Sequence, residues 1–181
     1  MTEEITKYEP VLHLQPEEAI TITPMMLLQS AVGANADLDK LEKLMALQER
    51  WEANEARKAY VRAMANFKAD PPTVIKTRTA DFTTQKGRTT YDYADLAGVA
   101  AIISKALSAH GLSHSWKTEQ NEKVIVTCTI THEMGHSESC SLSAEADSSG
   151  GKNSIQAIGS TISYLEKYTL LAVTGLETQG Q

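Results

Sequence analysis

Cysteine is scarce in this chain of 181 residues: there are two, Cys128 and Cys140. Two cannot build a disulfide scaffold, and such sparing use points to a reducing cytoplasm. No apolar run approaches the ~18 residues of a membrane span, so no membrane segment is expected. The N-terminus, Met1-Thr-Glu-Glu-Ile-Thr-Lys7, is acidic and lacks an apolar stretch, so it does not read as a secretory signal. Net positive charge is lacking too. The balance of −6 argues against a uniformly basic nucleic-acid binder, though not against a local basic patch. Catalytic signatures are few. No G-x-S-x-G elbow is present. Gly150-Gly151-Lys152-Asn153 is close to a phosphate loop, but Ala146 stands where the first Walker glycine belongs and Asn153 replaces Ser/Thr, so ATP hydrolysis is not expected. Asp92 and Asp95 read more simply as a turn residue and a helix cap than as a carboxylate pair. What remains is ordinary for a globular domain: 41% apolar and 22% charged residues, in a chain long enough to bury one real core.

The charge is unevenly spread. Residues 1–56 carry a net −7 and residues 89–181 a net −5, whereas residues 57–88 carry +6. That central segment holds Arg57, Lys58, Arg62, Lys68, Lys76, Arg78, Lys86 and Arg88 against Asp70 and Asp81. Such a concentration is the electrostatic footprint of a phosphate-backbone binder; a solvated helix face followed by a polar loop explains it equally well.

Punctuation and periodicity predict the elements. Thr23-Pro24 reads as an N-cap followed by proline at the first helical position, opening a short helix, Met25 to Val32, that stops at Gly33. Asp37 caps a second helix. From Leu38 to Phe67 there is neither proline nor glycine, and good helix formers dominate, so one helix of about 45–50 Å is expected at ~1.5 Å per residue. Its apolar positions fall into two groups, Leu38 to Trp51 and Tyr60 to Phe67. One half is expected to pack on the domain and the other to meet a second protomer. Pro71-Pro72 ends the helix. Thr73 to Ala80 reads as a strand, and residues 73–93 as a hairpin turning at Lys86-Gly87. Residues 95–110 form a helix with Asp95 as cap, Leu96, Val99, Ile103 and Leu107 as its stripe, and Gly111 at its end. Strands follow at Leu112–Thr118, Lys123–Thr131 and Ser137–Ala144, then a glycine-rich turn over 147–152. A last helix spans 154–173, with Ile155, Ile158, Ile162 and Leu165 on one stripe. The fold class is α+β, a mainly antiparallel sheet with helices on one side.

His132-Glu133-Met134-Gly135-His136 matches H-E-x-x-H. Zinc-protease chemistry needs that motif on a helix, because only there do residues i and i+4 bring both imidazoles to one metal. The flanks alternate with period 2 instead, and a glycine lies inside the motif. A hairpin centred on Met134, with Gly135 in the left-handed position, explains more. It pairs His132 with His136, Ile130 with Glu138, Cys128 with Cys140 and Val126 with Leu142, and sorts the threonines and serines onto the other face. The cysteine pair then lies roughly 13 Å from the histidine pair at ~3.3 Å per residue, too far for one tetrahedral zinc. No metal site and no cofactor are expected.

The candidate binding residues are therefore cationic and aromatic. Lys76, Arg78, Lys86 and Arg88 lie on or beside the 73–93 hairpin, with Phe82, Tyr91 and Tyr93 interleaved. Cations for phosphates and rings for bases make up the single-strand recipe; core packing is the competing account of each tyrosine. Lys152, Asn153 and Gln156 begin the last helix, where backbone N–H groups favour an anion; helix capping by Asn153 or Ser154 accounts for them equally well.

Several stretches resemble the essential recombination function (Erf-type) family of phage single-strand annealing proteins. These are Tyr91-x-Tyr93-x-x-Leu96, Gly111-Leu112-Ser113, His132-x-x-Gly135-His136, the run from Asp147-x-x-Gly150-x-Lys152-Asn153-x-x-Gln156-Ala157 to Gly159-Ser160, then Tyr164-Leu165-x-x-Tyr168 and Thr174-Gly175. Phe67-Lys68-Ala69 before Pro71-Pro72 is also similar. The likeness covers about residues 24–176 and is most specific from Lys152 to Tyr168. Two departures stand out: Lys167 occupies a place where an arginine is expected, and the extended, often acidic C-terminal region of many relatives does not follow Gly175. The resemblance implies a ββαβββα-like core and ATP-independent binding and annealing of single-stranded DNA by homo-oligomeric rings or filaments in a bacterial host cell. Host single-strand-binding protein or a phage exonuclease are the further partners it implies. The expected organisation is an N-terminal segment (1–35), an annealing core (36–176) and a short tail (177–181), without catalysis. The rival readings are a zinc-dependent hydrolase built on His132–His136 and an oligomerisation module that does not bind DNA.

Overall fold

The computed structural model describes residues 22–74, 78–84, 87–93 and 95–177. The chain divides into two units, one ending at Glu49 and one from Arg50 onward, and the boundary falls inside the longest helix.

In the first unit, α1 runs Pro24–Gly33. Thr23 caps it, its side chain accepting the Met26 N–H at 3.4 Å, with Pro24 at the position where a missing N–H costs nothing. The left-handed residue that follows is Asn35, at φ 52°, and not Gly33. Asp37 then accepts the Lys40 N–H at 2.9 Å and opens α2, Leu38–Ala69. Met25, Met26, Leu27, Leu38, Met45 and Leu47 are all exposed.

In the second unit, α2 buries Tyr60, Ala63, Met64 and Phe67 at i, i+3, i+4 and i+7, the spacing of one helix face. Of the two halves, it is the C-terminal one that packs on the domain. A two-stranded ribbon follows, β1 (Arg78–Thr84) antiparallel to β2 (Gly87–Tyr93). The hairpin is present, but its first strand lies later than Thr73–Ala80. Val74 is 1% exposed and belongs to the core; β-branched residues favour strands only where packing agrees. The expected turn at Lys86-Gly87 falls partly outside the described residues.

α3 spans Leu96–Ser108, capped by Asp95, which accepts the Gly98 N–H at 2.7 Å. β3 (Leu112–Gln120), β4 (Val124–His132) and β5 (Ser137–Ala144) form an antiparallel sheet in that order. α4, Ser154–Thr174, returns across β4 and β5 and also meets α3. Alternate residues of central β4 (Val124, Val126, Cys128, Ile130 and His132) are buried, while those between are half-buried, as expected for a strand with one face in the core. Phe67, Ile103, Leu107, Ile130 and Leu170 are fully buried and join α2, α3, β4 and α4 in one apolar cluster. Each such side chain contributes roughly 1.5–3 kcal/mol. A smaller cluster sets Val124, Val126 and Leu165 against Trp116, Ile158 and Ile162. Ile155 departs from its expected place on the α4 stripe: it is 80% exposed. The buried row is Ala157, Thr161, Leu165 and Thr169 instead, because threonine hydroxyls can bond back to the helix. Thr169 donates to the Leu165 carbonyl at 2.7 Å, which makes it as acceptable inside as an aliphatic residue.

Candidate nucleic-acid interface

The candidate binding residues fall at two places. On the ribbon, Arg78 pairs in register with Tyr93, Ala80 with Tyr91 and Thr83 with Arg88. By strand alternation, positions 78, 91 and 93 share one face and position 88 falls on the other. Lys76 and Lys86 lie outside the described residues.

The second place is the turn before α4. Gly150 and Gly151 have φ of 70° and 72°, a left-handed pair that reverses the chain within one 3-10 turn, Ser149–Gly151. The Asp147 carboxylate gathers this turn. Lys152 Nζ donates to it, as do the Ser149 N–H at 3.1 Å, the Ser149 hydroxyl at 2.5 Å and the Ser160 hydroxyl of α4 at 2.9 Å. Lys152 first, then Ser149 and Ser160, hold this carboxyl well below the usual carboxylate range. The Asp147 N–H donates to Thr161 Oγ1 at 2.9 Å, lashing the turn to the buried side of α4. Asn153 and Gln156 form a reciprocal capping box: the Gln156 N–H reaches Asn153 Oδ1 at 2.9 Å and the Asn153 N–H reaches Gln156 Oε1 at 3.1 Å. The structure thus brings Lys152, Asn153 and Gln156 together at one helix start. Each side-chain oxygen accepts the other residue's backbone N–H, and the lysine is paired with Asp147.

The HEMGH segment is a β-hairpin. Thr131 pairs with Ser137, Ile130 with Glu138, Cys128 with Cys140 and Val126 with Leu142, in the register the alternation requires. The His132 N–H donates to the His136 carbonyl at 2.9 Å, and Gly135 has φ 93°, a conformation that favours glycine. The motif therefore lacks the helical geometry a zinc protease needs. His136 instead sits edge-on to Tyr60, with ring centroids 5.1 Å apart, and 3.8 Å from Glu138 Oε1. Burial first and Glu138 second push the Tyr60 hydroxyl up to about 12. Cys128 and Cys140 are free thiols. Among the described residues, no three His, Cys, Asp or Glu side chains are grouped so as to hold a metal.

Two further features emerge only from the tertiary structure. A cleft is lined by Arg62 and Asn66 of α2 together with His110 and His132. The His132 ring accepts the Met134 N–H at Nδ1 over 3.2 Å, which leaves Nε2 as the proton-bearing nitrogen of the neutral ring. No local motif signals this site, since its residues lie on separate elements. The other feature is a pair of exposed tyrosines on α4, Tyr164 and Tyr168. Their i, i+4 spacing is visible in the sequence, but their exposure is not.

The described residues form an α+β unit with a two-stranded ribbon and a three-stranded antiparallel sheet, its last helix starting behind a glycine turn. The chain belongs to the ERF superfamily, whose family model matches residues 60–180. Comparison with curated proteins and with solved structures returned no match. Among the described residues, no helix is long and apolar enough to cross a membrane.

Proposed function

We propose that this protein binds single-stranded DNA and anneals complementary strands, without ATP, in phage-type homologous recombination. The observation that carries the reading is the family match over residues 60–180. The +6 charge of residues 57–88 in an otherwise acidic chain supports it, since the acidic remainder would repel a polyanion and orient it on the patch. The working form is a homo-oligomer, ring or filament. The exposed apolar residues Leu38 and Met45, seven apart on one face of α2, are the surface offered to a neighbouring protomer. In this scheme Lys76, Arg78, Lys86, Arg88 and Lys152 hold phosphates, and Tyr91 and Tyr93 support bases. Asn153 and Gln156 order the helix start that carries Lys152. Host single-strand-binding protein or a phage exonuclease would be the further partners.

The test mixes two complementary fluorescent oligonucleotides with the protein, without ATP or metal, across a salt series. Duplex formation should accelerate, and binding should weaken as salt rises. Arg88→Ala and Lys152→Ala should each weaken binding regardless of sequence. Each should also flatten the log–log salt slope by about 0.7 for every phosphate left without its cation. Unchanged binding in both variants overturns the site assignment; no binding at low salt overturns the function.

A further inference from the structure

Tyr164 and Tyr168 are each 50% exposed, although aromatic side chains this large usually bury more of themselves. Their rings are close to parallel, at 13°, with centroids 6.4 Å apart. Lys167 Nζ lies over both, 5.3 Å from the Tyr164 centroid and 4.9 Å from that of Tyr168. Partial burial lowers the pKa of this lysine from its ordinary value. The exposed neighbours Gly159, Ser163 and Ala172 are small. One turn toward the start of the helix from Tyr164 is Ser160, whose hydroxyl bonds Asp147, the carboxylate that also holds Lys152. One end of α4 thus leads from a cation, through a hydroxyl, to two rings with a second cation between them.

We propose that Tyr164 and Tyr168 form a two-base stacking platform for single-stranded DNA, with Lys167 drawing the intervening phosphate. This rests on the function proposed above and adds a site to it. The occupant follows from the geometry. Two parallel rings with a cation between them match the alternation of base and phosphate along one strand. Their 6.4 Å spacing is nearly twice the ~3.4 Å rise per nucleotide of a stacked strand. The platforms therefore suit an extended strand, whose bases rest on the rings by their faces and keep their pairing edges free for a complementary strand. An apolar protein partner would gain little from a surface with a charge at its centre.

The test measures affinity for oligo-dT and for an abasic oligonucleotide of equal length and charge. The parent protein is compared with Tyr164→Ala/Tyr168→Ala, Tyr164→Phe/Tyr168→Phe and Arg88→Ala. Thermal melting checks that each variant folds, and sedimentation velocity reports its assembly. The alanine pair should lose about tenfold or more in affinity for oligo-dT while binding the abasic strand like the parent. The phenylalanine pair should bind both strands like the parent. Arg88→Ala should weaken both ligands together. Equal oligo-dT affinity in the alanine pair overturns the platform and leaves the proposed function standing. Equal loss on both ligands, or loss of assembly, also overturns it and marks the rings as structural or as a contact between copies. A parent protein that binds neither ligand overturns the platform together with the function on which it rests.

Discussion

At the scale of single residues, burial sets both packing and chemistry. Phe67 is fully buried and belongs to the main apolar cluster, which includes residues of α2, α3, β3, β4 and α4. Phe67→Ala should cost about 3–5 kcal/mol in a denaturant titration, because a packed core closes such a void only in part. Cys128 is also fully buried, and burial followed by Cys140 pushes its thiol up to about 12. It should resist alkylation at neutral pH until the protein unfolds, whereas half-buried Cys140 should react first; mass spectrometry of the labelled chain distinguishes them. Tyr60 is raised to the same value. For both groups the folded pKa exceeds the unfolded one, so the unfolded chain releases its protons first as pH rises. Their contribution to stability is whole below about pH 9 and is lost toward pH 12. The thermal midpoint should therefore fall across that window and not between pH 7 and 8.

At the scale of elements, two short devices position the surfaces that matter. The capping box of Asn153 and Gln156 starts α4, and Asn153→Ala should cost about 1 kcal/mol. If Lys152 binds phosphate from an ordered helix start, the same substitution should weaken DNA binding less than Lys152→Ala does, which a direct comparison of the two variants would show. Gly135 closes the β4–β5 hairpin at φ 93°. Gly135→Ala should cost about 1–2 kcal/mol in the same denaturant titration, since a Cβ is strained there whatever the surrounding space. The hairpin geometry of HEMGH explains this sensitivity, which a zinc-binding helix would not share.

At the scale of the whole molecule, the distribution of charge and apolar surface governs behaviour. The net positive balance of the chain is confined to residues 57–88, so the proposed DNA binding should be steeply salt-dependent despite the net charge of −6. Leu38 and Met45 are exposed on one face of α2. If the proposed protomer contact lies on this face, Leu38→Glu and Met45→Glu should lower the assembled fraction in sedimentation while leaving the melting temperature nearly unchanged, because neither side chain is packed in the core. An unchanged oligomer would move the protomer contact elsewhere.

Much of this architecture could be read without coordinates. Thr23, Asp37, Asp95 and Asn153 announce helix starts because capping is a local hydrogen bond between residues three apart. The β4–β5 register follows from period-2 alternation around Gly135, since a slip of one residue would turn every buried side chain outward. The family resemblance rests on ordered motifs and is equally legible. Other features depend on groups far apart in sequence. Val74 leaves its apparent strand for the core because long-range packing outweighs β propensity. Ile155 goes to solvent and Thr161 to the interior because helix phase depends on where the sheet lies, and a threonine that bonds its own helix can be buried. The Asp147–Lys152–Ser160 cluster, the Arg62–His132 cleft and the exposure of Tyr164 and Tyr168 are decided only by tertiary structure. Each depends on which faces α4 and α2 present once the sheet has taken the others, and no local pattern records that choice.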